Sequence, residues 1–401
     1  MRLATLSASS LLLVFLLWPS GPWRRGTIAL AQQGAAAGPA AAPRSSEADW
    51  KRAEPGRRIV LPDDHASHPA YKLEWWYYTG NLDSDDGRRF GFQVTFFRVG
   101  VDPSPENPSR WAVRDLIMTH LALTDASGKR YLYAERLNRP GPGWAGAAVD
   151  RYRVWNEDWQ VALEGRTHRI TAHGTSEPRG AGAAVRFGLD LVLDETQPPA
   201  LHGDRGYSRK GSDPGNASHY YSLPRMPTRG TITLDGRTLT VTGLSWMDHE
   251  FGTSFLEAGQ IGWDWFAIQL TDGRSLMLYR FRRSDGVRDP RSSGTLIEAD
   301  GRTSTVDFGQ VAISPGRTWV SPVSGAVYPV TWDVSLPRER LTLLVSAVLD
   351  DQELHTSEST GVTYWEGAVD VRGTADGQPV AGRGYLEMTG YAGATMANYL
   401  R

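Results

Sequence analysis

From residue 58 onward the chain repeats one pattern, in which short aromatic and β-branched runs are broken by Asp-Gly or Ser-Gly turns. "SDDGRRFGFQVTFFRV", "LALTDASGKRYLY", "TITLDGRTLTVTG" and "LTDGRSLMLYRFR" carry the signals of strands meeting at hairpin turns. With 43 glycines and 24 prolines scattered through 401 residues, long helices have little room. The sequence predicts an all-β protein.

A faint internal repeat refines this expectation. "WWYYTGNLDSDDGRRFGFQVTFFR" from Trp75 returns as "WDWFAIQLTDGRSLMLYRFR" from Trp263, and "WQVAL" at 159–163 returns as "WDVSL" at 332–336. "VTGLSWMDHE" at 241–250 returns as "VAGRGYLEMT" at 380–389, which aligns Asp248 with Glu387. Three matches in one order indicate duplication, with the copies joining near 256–261. The expected units are 58–257 and 258–401, each an antiparallel β-barrel. Residues 195–218 form a long, Gly- and Pro-rich connection inside the first copy, of the kind used as a lid or binding loop.

The N-terminus reads differently. Arg2, the apolar run from Leu11 to Trp18 and "ALA" at 29–31 have the order of a secretory signal peptide over residues 1–31. Residues 32–57 are a flexible Ala/Gly/Pro-rich lead-in. Export to the periplasm or beyond is the expectation, and an uncleaved anchor stays open because the stretch after Trp18 is long. The chain has no cysteine, which excludes disulfides, thiol chemistry and attachment through a lipidated cysteine. Its formal charge of -2 argues against a nucleic-acid partner. Neither a Walker nor a dinucleotide fingerprint occurs, and no cofactor is expected.

Two segments carry candidate chemistry. In "EWWYYTGNL" strand alternation puts Glu74, Trp76, Tyr78 and Leu82 on one face, and Trp75 and Tyr77 on the other. In the second copy Asp264 shares a face with Phe266, opposite Trp263 and Trp265. Each copy thus directs a carboxylate to its more apolar side, where it must be paired, hydrogen-bonded or protonated. Two readings stand: carboxylates in a pocket, or carboxylates clamped by Arg98, Arg280 or Arg282. The second segment, "SWMDHEF", places Asp248 and Glu250 with Trp246, and His249 on the opposite face with Met247. His65 and His68 beside Asp63 and Asp64 have zinc-ligand types, but polar loops of this kind are common and no metal is expected. His219 and Tyr220 form a further His–aromatic cluster.

At "HASHPAYKLEWWYYTGNL", "NASHYYSLPRM", "GLSWMDHEFGT" and "GWDWFAIQLTDG" the chain resembles the lipocalin-like AttH/carotenoid 1,2-hydratase (hydroxyneurosporene synthase) family. The resemblance implies two lipocalin-like β-barrel domains joined just before "GWDWF". It also implies hydration of an isolated carbon–carbon double bond without a redox cofactor. The hydratases' Asp-His-Asn-Trp segment aligns with Asp248-His249-Glu250-Phe251, so the Asn and the indole are replaced here. On this reading Asp248, His249, Glu250 and Asp264 are the catalytic candidates, with Glu387 a further supporting acid. Glu74, Trp75, Trp76, Tyr78, His219, Tyr220, Trp246, Phe251, Trp263 and Trp265 line the ligand site. The expected ligand is an apolar polyene or lipid, bound by a monomer. The alternative is a non-catalytic extracytoplasmic carrier working beside a membrane exporter.

Overall fold

The structure is a computed structural model that describes residues 50–104, 108–109, 111–177 and 182–393. The expected leader, 1–31, and the lead-in up to residue 49 lie outside the described residues.

Among the described residues one short 3-10 turn, Asp63–His65, precedes an all-β architecture. The first thirteen strands are β1 (Leu73–Ser84), β2 (Arg89–Gly100), β3 (Asp115–Asp125), β4 (Arg130–Asn138), β5 (Ala145–Ala147), β6 (Arg153–Asn156), β7 (Trp159–Glu164), β8 (Thr167–Ser176), β9 (Val185–Asp194), β10 (Ala200–Leu201), β11 (Tyr207–Arg209), β12 (Ala217–Leu234) and β13 (Arg237–Ser254). They form one antiparallel sheet in the order β4-β3-β2-β1-β13-β12-β9-β8-β7-β6-β5, with β10 and β11 also on β12. This sheet curls until β4 approaches β8, a nearly closed barrel.

The chain then enters a second sheet. Its strands are β14 (Gln260–Leu270), β15 (Ser275–Arg283), β16 (Ser293–Ile297), β17 (Thr303–Thr305), β18 (Ala312–Pro315), β19 (Thr318–Val320), β20 (Val327–Pro329), β21 (Thr331–Leu336), β22 (Leu341–Ala347), β23 (Glu353–Thr356), β24 (Val362–Ala375) and β25 (Gln378–Met388). The order is β17-β16-β15-β14-β25-β24-β22-β21-β18, with β23 on β24 and a separate β19–β20 pair.

The two sheets are built alike. β1 lies between β2 and β13 as β14 lies between β15 and β25, so the first and third sequence repeats fall on equivalent strands. The middle repeat does not. "WQVAL" is β7, whereas "WDVSL" is β21, whose place in the second sheet corresponds to β8. The nearly closed barrel sheet and the second sheet fit the lipocalin-like fold that the resemblance implies.

Side-chain alternation sorts the strands into three apolar layers. Trp76, Tyr78 and Leu82 of β1 enter a core inside the first unit with Phe90, Phe92, Trp159 and Ile232. Phe266, Ile268 and Leu270 of β14 enter the equivalent core inside the second with Trp332, Val334 and Trp365. Both interiors are thus filled rather than left open as hollows. The other face of each sheet is also apolar. Tyr77, Tyr220 and Trp246 meet Trp265, Tyr279 and Tyr385 in a layer between the sheets.

Two amides in equivalent places tie that layer together. Gln269 donates from Nε2 to Pro224 O at 2.8 Å and to Ser245 O at 3.0 Å, reaching the first sheet from the second. Asn81, its counterpart in the repeat, donates to Gly384 O at 3.1 Å in the opposite direction. Gln269→Ala would remove both hydrogen bonds from a buried seam and is expected to cost about 2 kcal/mol, read by urea unfolding. The same truncation at exposed Val149 is expected to change stability by less than about 0.5 kcal/mol.

Candidate active site

The layer between the sheets encloses a cavity of about 90 Å³. By volume this holds several waters or the reacting end of an apolar ligand. Its walls are aromatic, with Trp75, Tyr77 and Phe97 from the first sheet facing Trp263, Trp265, Tyr279 and Phe281 from the second. Into it project four carboxyl groups: Asp248, Glu250, Glu366 and Glu387.

Register explains why they meet. On β1 and β13, Tyr77 lies opposite Asp248 and Trp75 opposite Glu250. On β14 and β25, Trp265 lies opposite Glu387, which is also opposite Glu366 on β24. Asp248 and Glu387 are thus the same acid delivered twice by the duplication, one from each sheet.

Asp248 sits among three donors. Trp246 Nε1 reaches Oδ1 at 2.6 Å, the Tyr220 hydroxyl reaches Oδ2 at 2.5 Å, and Ser222 Oγ bonds Oδ1. Burial nonetheless pushes this carboxyl up to about 7, with the negative charge of Glu250 adding to the rise and the three donors opposing it. Tyr220 spans the sheets, since its oxygen also accepts from Trp265 Nε1 at 3.1 Å. Behind Ser222, His202 Nε2 lies 2.6 Å from the Ser222 oxygen, and His202 Nδ1 lies 2.8 Å from Thr295 Oγ1.

Glu250 is held differently. Lys210 Nζ pairs with its Oε1 at 2.7 Å, and Ser218 Oγ bonds the same oxygen. The ammonium lies 4.8 Å from the Tyr220 ring centre and 4.5 Å from that of Tyr279. Burial would lower the Lys210 pKa, but Glu250 and neighbouring groups raise it, so the ammonium keeps its proton.

Glu366 and Glu387 are both pushed up, first by burial and then by neighbouring carboxylates. Trp263 Nε1 donates to Glu387 Oε2 at 3.2 Å, while Glu366 faces the hydroxyls of Tyr77 and Tyr364. Tyr364, beside them, leads outward. Its hydroxyl bonds His120 Nδ1 at 2.7 Å, His120 Nε2 bonds Ser359 Oγ at 2.9 Å, and Ser359 bonds Glu135 in an open groove. Burial lowers His120 to about 3, so the ring is neutral and carries a single proton along this chain.

The AttH-like family profile matches residues 52–391. The chain belongs to that family. An AttH protein from Nitrosomonas europaea has a similar structure, with TM-score 0.73 and 35% identity, covering 84% of this chain and 98% of that one. Kievitone hydratase from Nectria haematococca matches at TM-score 0.63 and 15% identity, over 85% of this chain and 96% of its own. At that identity the likeness shows the fold alone. Among curated proteins none matches the chain.

The sequence-derived candidates of this AttH-like chain separate into two groups. Asp248, Glu250, Trp75, Tyr220, Trp263 and Trp265 line the cavity, with Trp246 bonded to Asp248 behind it. His249, Glu74, Trp76 and Tyr78 face the first unit's interior instead, and Phe251 packs in a separate cluster with Tyr71 and His68, which removes His249 from any direct work on Asp248. Glu74 is 1% exposed and clamped by Arg98 Nε at 3.0 Å, His249 Nε2 at 3.0 Å and His68 Nδ1 at 2.8 Å. Burial would raise it, but those imidazoles and the guanidinium hold it well below the usual carboxylate range.

Asp264 is likewise corrected from catalytic candidate to ion-pair partner. Arg280 reaches it at 2.7 Å and the Tyr391 hydroxyl at 2.9 Å, inside the second unit. His219 packs against Tyr71 and Phe251, outside the cavity. Lys210, His202, His120 and Glu366 escaped sequence reasoning. Only Lys210 and His202 had a signal, their place in the long 195–218 connection.

The raised acid has a thermodynamic signature. A carboxyl with folded pKa about 7 and unfolded pKa about 3.8 stabilises the fold below pH 4, and that contribution is lost as pH rises through 7. Asp248→Asn, isosteric with the protonated acid, is therefore expected to gain on the order of 4 kcal/mol over the parent between pH 4 and pH 8. Urea unfolding of both proteins across that range measures it. A difference that stays flat with pH would show an ordinary carboxylate.

Proposed function

We propose that the inter-sheet cavity binds an apolar unsaturated molecule and adds water across one of its carbon–carbon double bonds, with Asp248 as the acid. The supporting observation is a buried carboxyl near pKa 7 that faces aromatic rings and a second protonated acid across a cavity. A group poised at that value can hold its proton in neutral water and still release it to a reacting centre.

The step balances simply. The Asp248 O–H bond breaks as the alkene π pair takes the proton, giving a C–H bond and a carbocation at the neighbouring carbon. Water oxygen attacks that carbon, and its surplus proton returns to the Asp248 carboxylate. Glu366 and Glu387 supply polar contacts for the water. The Trp75, Trp263 and Trp265 faces stabilise the cation, and one desolvated cation–π contact contributes about 2 kcal/mol, roughly thirtyfold in rate. Ion-pairing of Lys210 with Glu250 neutralises the ammonium that would otherwise repel the cation. The fold shared with kievitone hydratase and the leader-like residues 1–31 fit an exported member with hydratase-type chemistry.

Incubation with prenylated and polyene alkenes in isotopically labelled water tests this. Labelled alcohol is expected, with a rate that is high below pH 7 and declines as pH rises through about 7. Asp248→Asn is expected to lower that rate by about 10²–10⁴-fold. An apolar molecule that co-purifies and leaves unchanged, with Asp248→Asn binding it as well as the parent, would establish the carrier instead.

A further inference from the structure

On the interior face of the first unit, three side chains from distant parts of the sequence converge. His65 ends the turn before β1, His168 lies on β8, and Glu195 directly follows β9. His65 Nε2 lies 3.0 Å from Glu195 Oε1, and His168 Nε2 lies 2.8 Å from the same oxygen. The two imidazoles meet nearly edge to face, at 88° with centres 5.3 Å apart. All three donor atoms fall within 4.8 Å of one another.

The His168 contact to Glu195 is an ordinary hydrogen bond, but the His65 contact is not. His65 is fully buried, and its Nε2, although 3.0 Å from the carboxylate, forms no hydrogen bond of acceptable direction. The outer nitrogens are occupied. Tyr221 OH lies 2.6 Å from His65 Nδ1, and Tyr78 OH lies 2.7 Å from His168 Nδ1. When those nitrogens carry the protons, both Nε2 lone pairs and a carboxylate oxygen face one another, an arrangement that calls for a cation between them. Tyrosines bonded to the outer nitrogens are also what a metal-ligating histidine needs to fix its tautomer and orientation.

A second cluster supplies the contrast. His68, Glu74 and His249 offer the same residue types within the same span. There Arg98 already bonds Glu74 Oε2 at 3.0 Å, so positive charge is in place. Glu195 has no buried guanidinium, and its nearest arginine contact is the exposed Arg166 at 3.9 Å.

We propose that His65, His168 and Glu195 bind a divalent first-row transition ion of the zinc class. Two imidazoles and one carboxylate form a donor set that such ions accept. The donor spacings are a few tenths of an ångström below the roughly 3.3 Å edge of a tetrahedron with about 2.0 Å bonds. The site goes against the expectation of no metal, because residues adjacent in sequence, His65 and His68, part into different clusters. The ion ties the turn before β1 to the start of the 195–218 connection, which carries His202 and Lys210 to the cavity.

Titration of chelator-treated full-length protein with Zn²⁺ and, separately, Co²⁺ tests the site. Uptake of one ion per chain is expected, with a higher thermal midpoint and visible d–d bands for Co²⁺ of the low-symmetry, four-coordinate kind. Glu195→Gln and His65→Gln are expected to lose both signals, while Glu74→Gln retains them. Near-UV circular dichroism shows which variants fold. If Glu195→Gln does not, His65→Gln decides. A parent protein that takes up neither ion, or folded Glu195 and His65 variants that bind as the parent does, would overturn the proposal.

Discussion

Sheets that bury their own interiors need a second apolar face before they have any reason to meet, and both sheets here have one. Trp75 and Tyr77 in the first, and Trp263 and Trp265 in the second, point away from the filled interiors and against each other. That contact positions everything of chemical interest. It aligns Asp248 opposite Glu387, lets Tyr220 bond across to Trp265, and shuts the carboxyls off from bulk water. Because the site lies at this seam, neither sheet holds it alone.

The same burial sets stability against chemistry. A carboxyl kept near pKa 7 weakens the fold in neutral solution, and burial beside Glu387 pushes Glu366 up as well. Buried carboxylates away from the seam avoid such costs. Glu74 and Asp264, equally buried, are met by guanidinium groups and phenols, and Glu353 is surrounded by Ser321, Ser324 and Tyr328. Among these buried carboxylates the contrast singles out the inter-sheet acids, whose charged form is disfavoured.

Much of this was legible in the residues. Alternation along "EWWYYTGNL" separated Trp76 and Tyr78 from Trp75 and Tyr77, and alternation along "SWMDHEF" separated Asp248 and Glu250 from His249. The repeat pointed to Glu387. What alternation cannot say is which face looks inward, because a strand buried on both sides is apolar on both. Of the two readings open for Glu74, the Arg98 clamp holds and the pocket does not, since that face of β1 enters a packed core and the cavity lies behind it. His120 and Glu366 line the cavity from strands that no local pattern marks.

The seam is built from equivalent strands of two copies, and this gives the chain a particular evolutionary freedom. A cavity between two identical protomers would carry two identical acids, and any substitution would strike both. Fused into a single polypeptide, the halves escape that symmetry. The Asp of one half lies beside Ser222 and, behind it, His202, while the Glu of the other has Glu366 at the position equivalent to Ser222. One half can thus specialise while the other drifts.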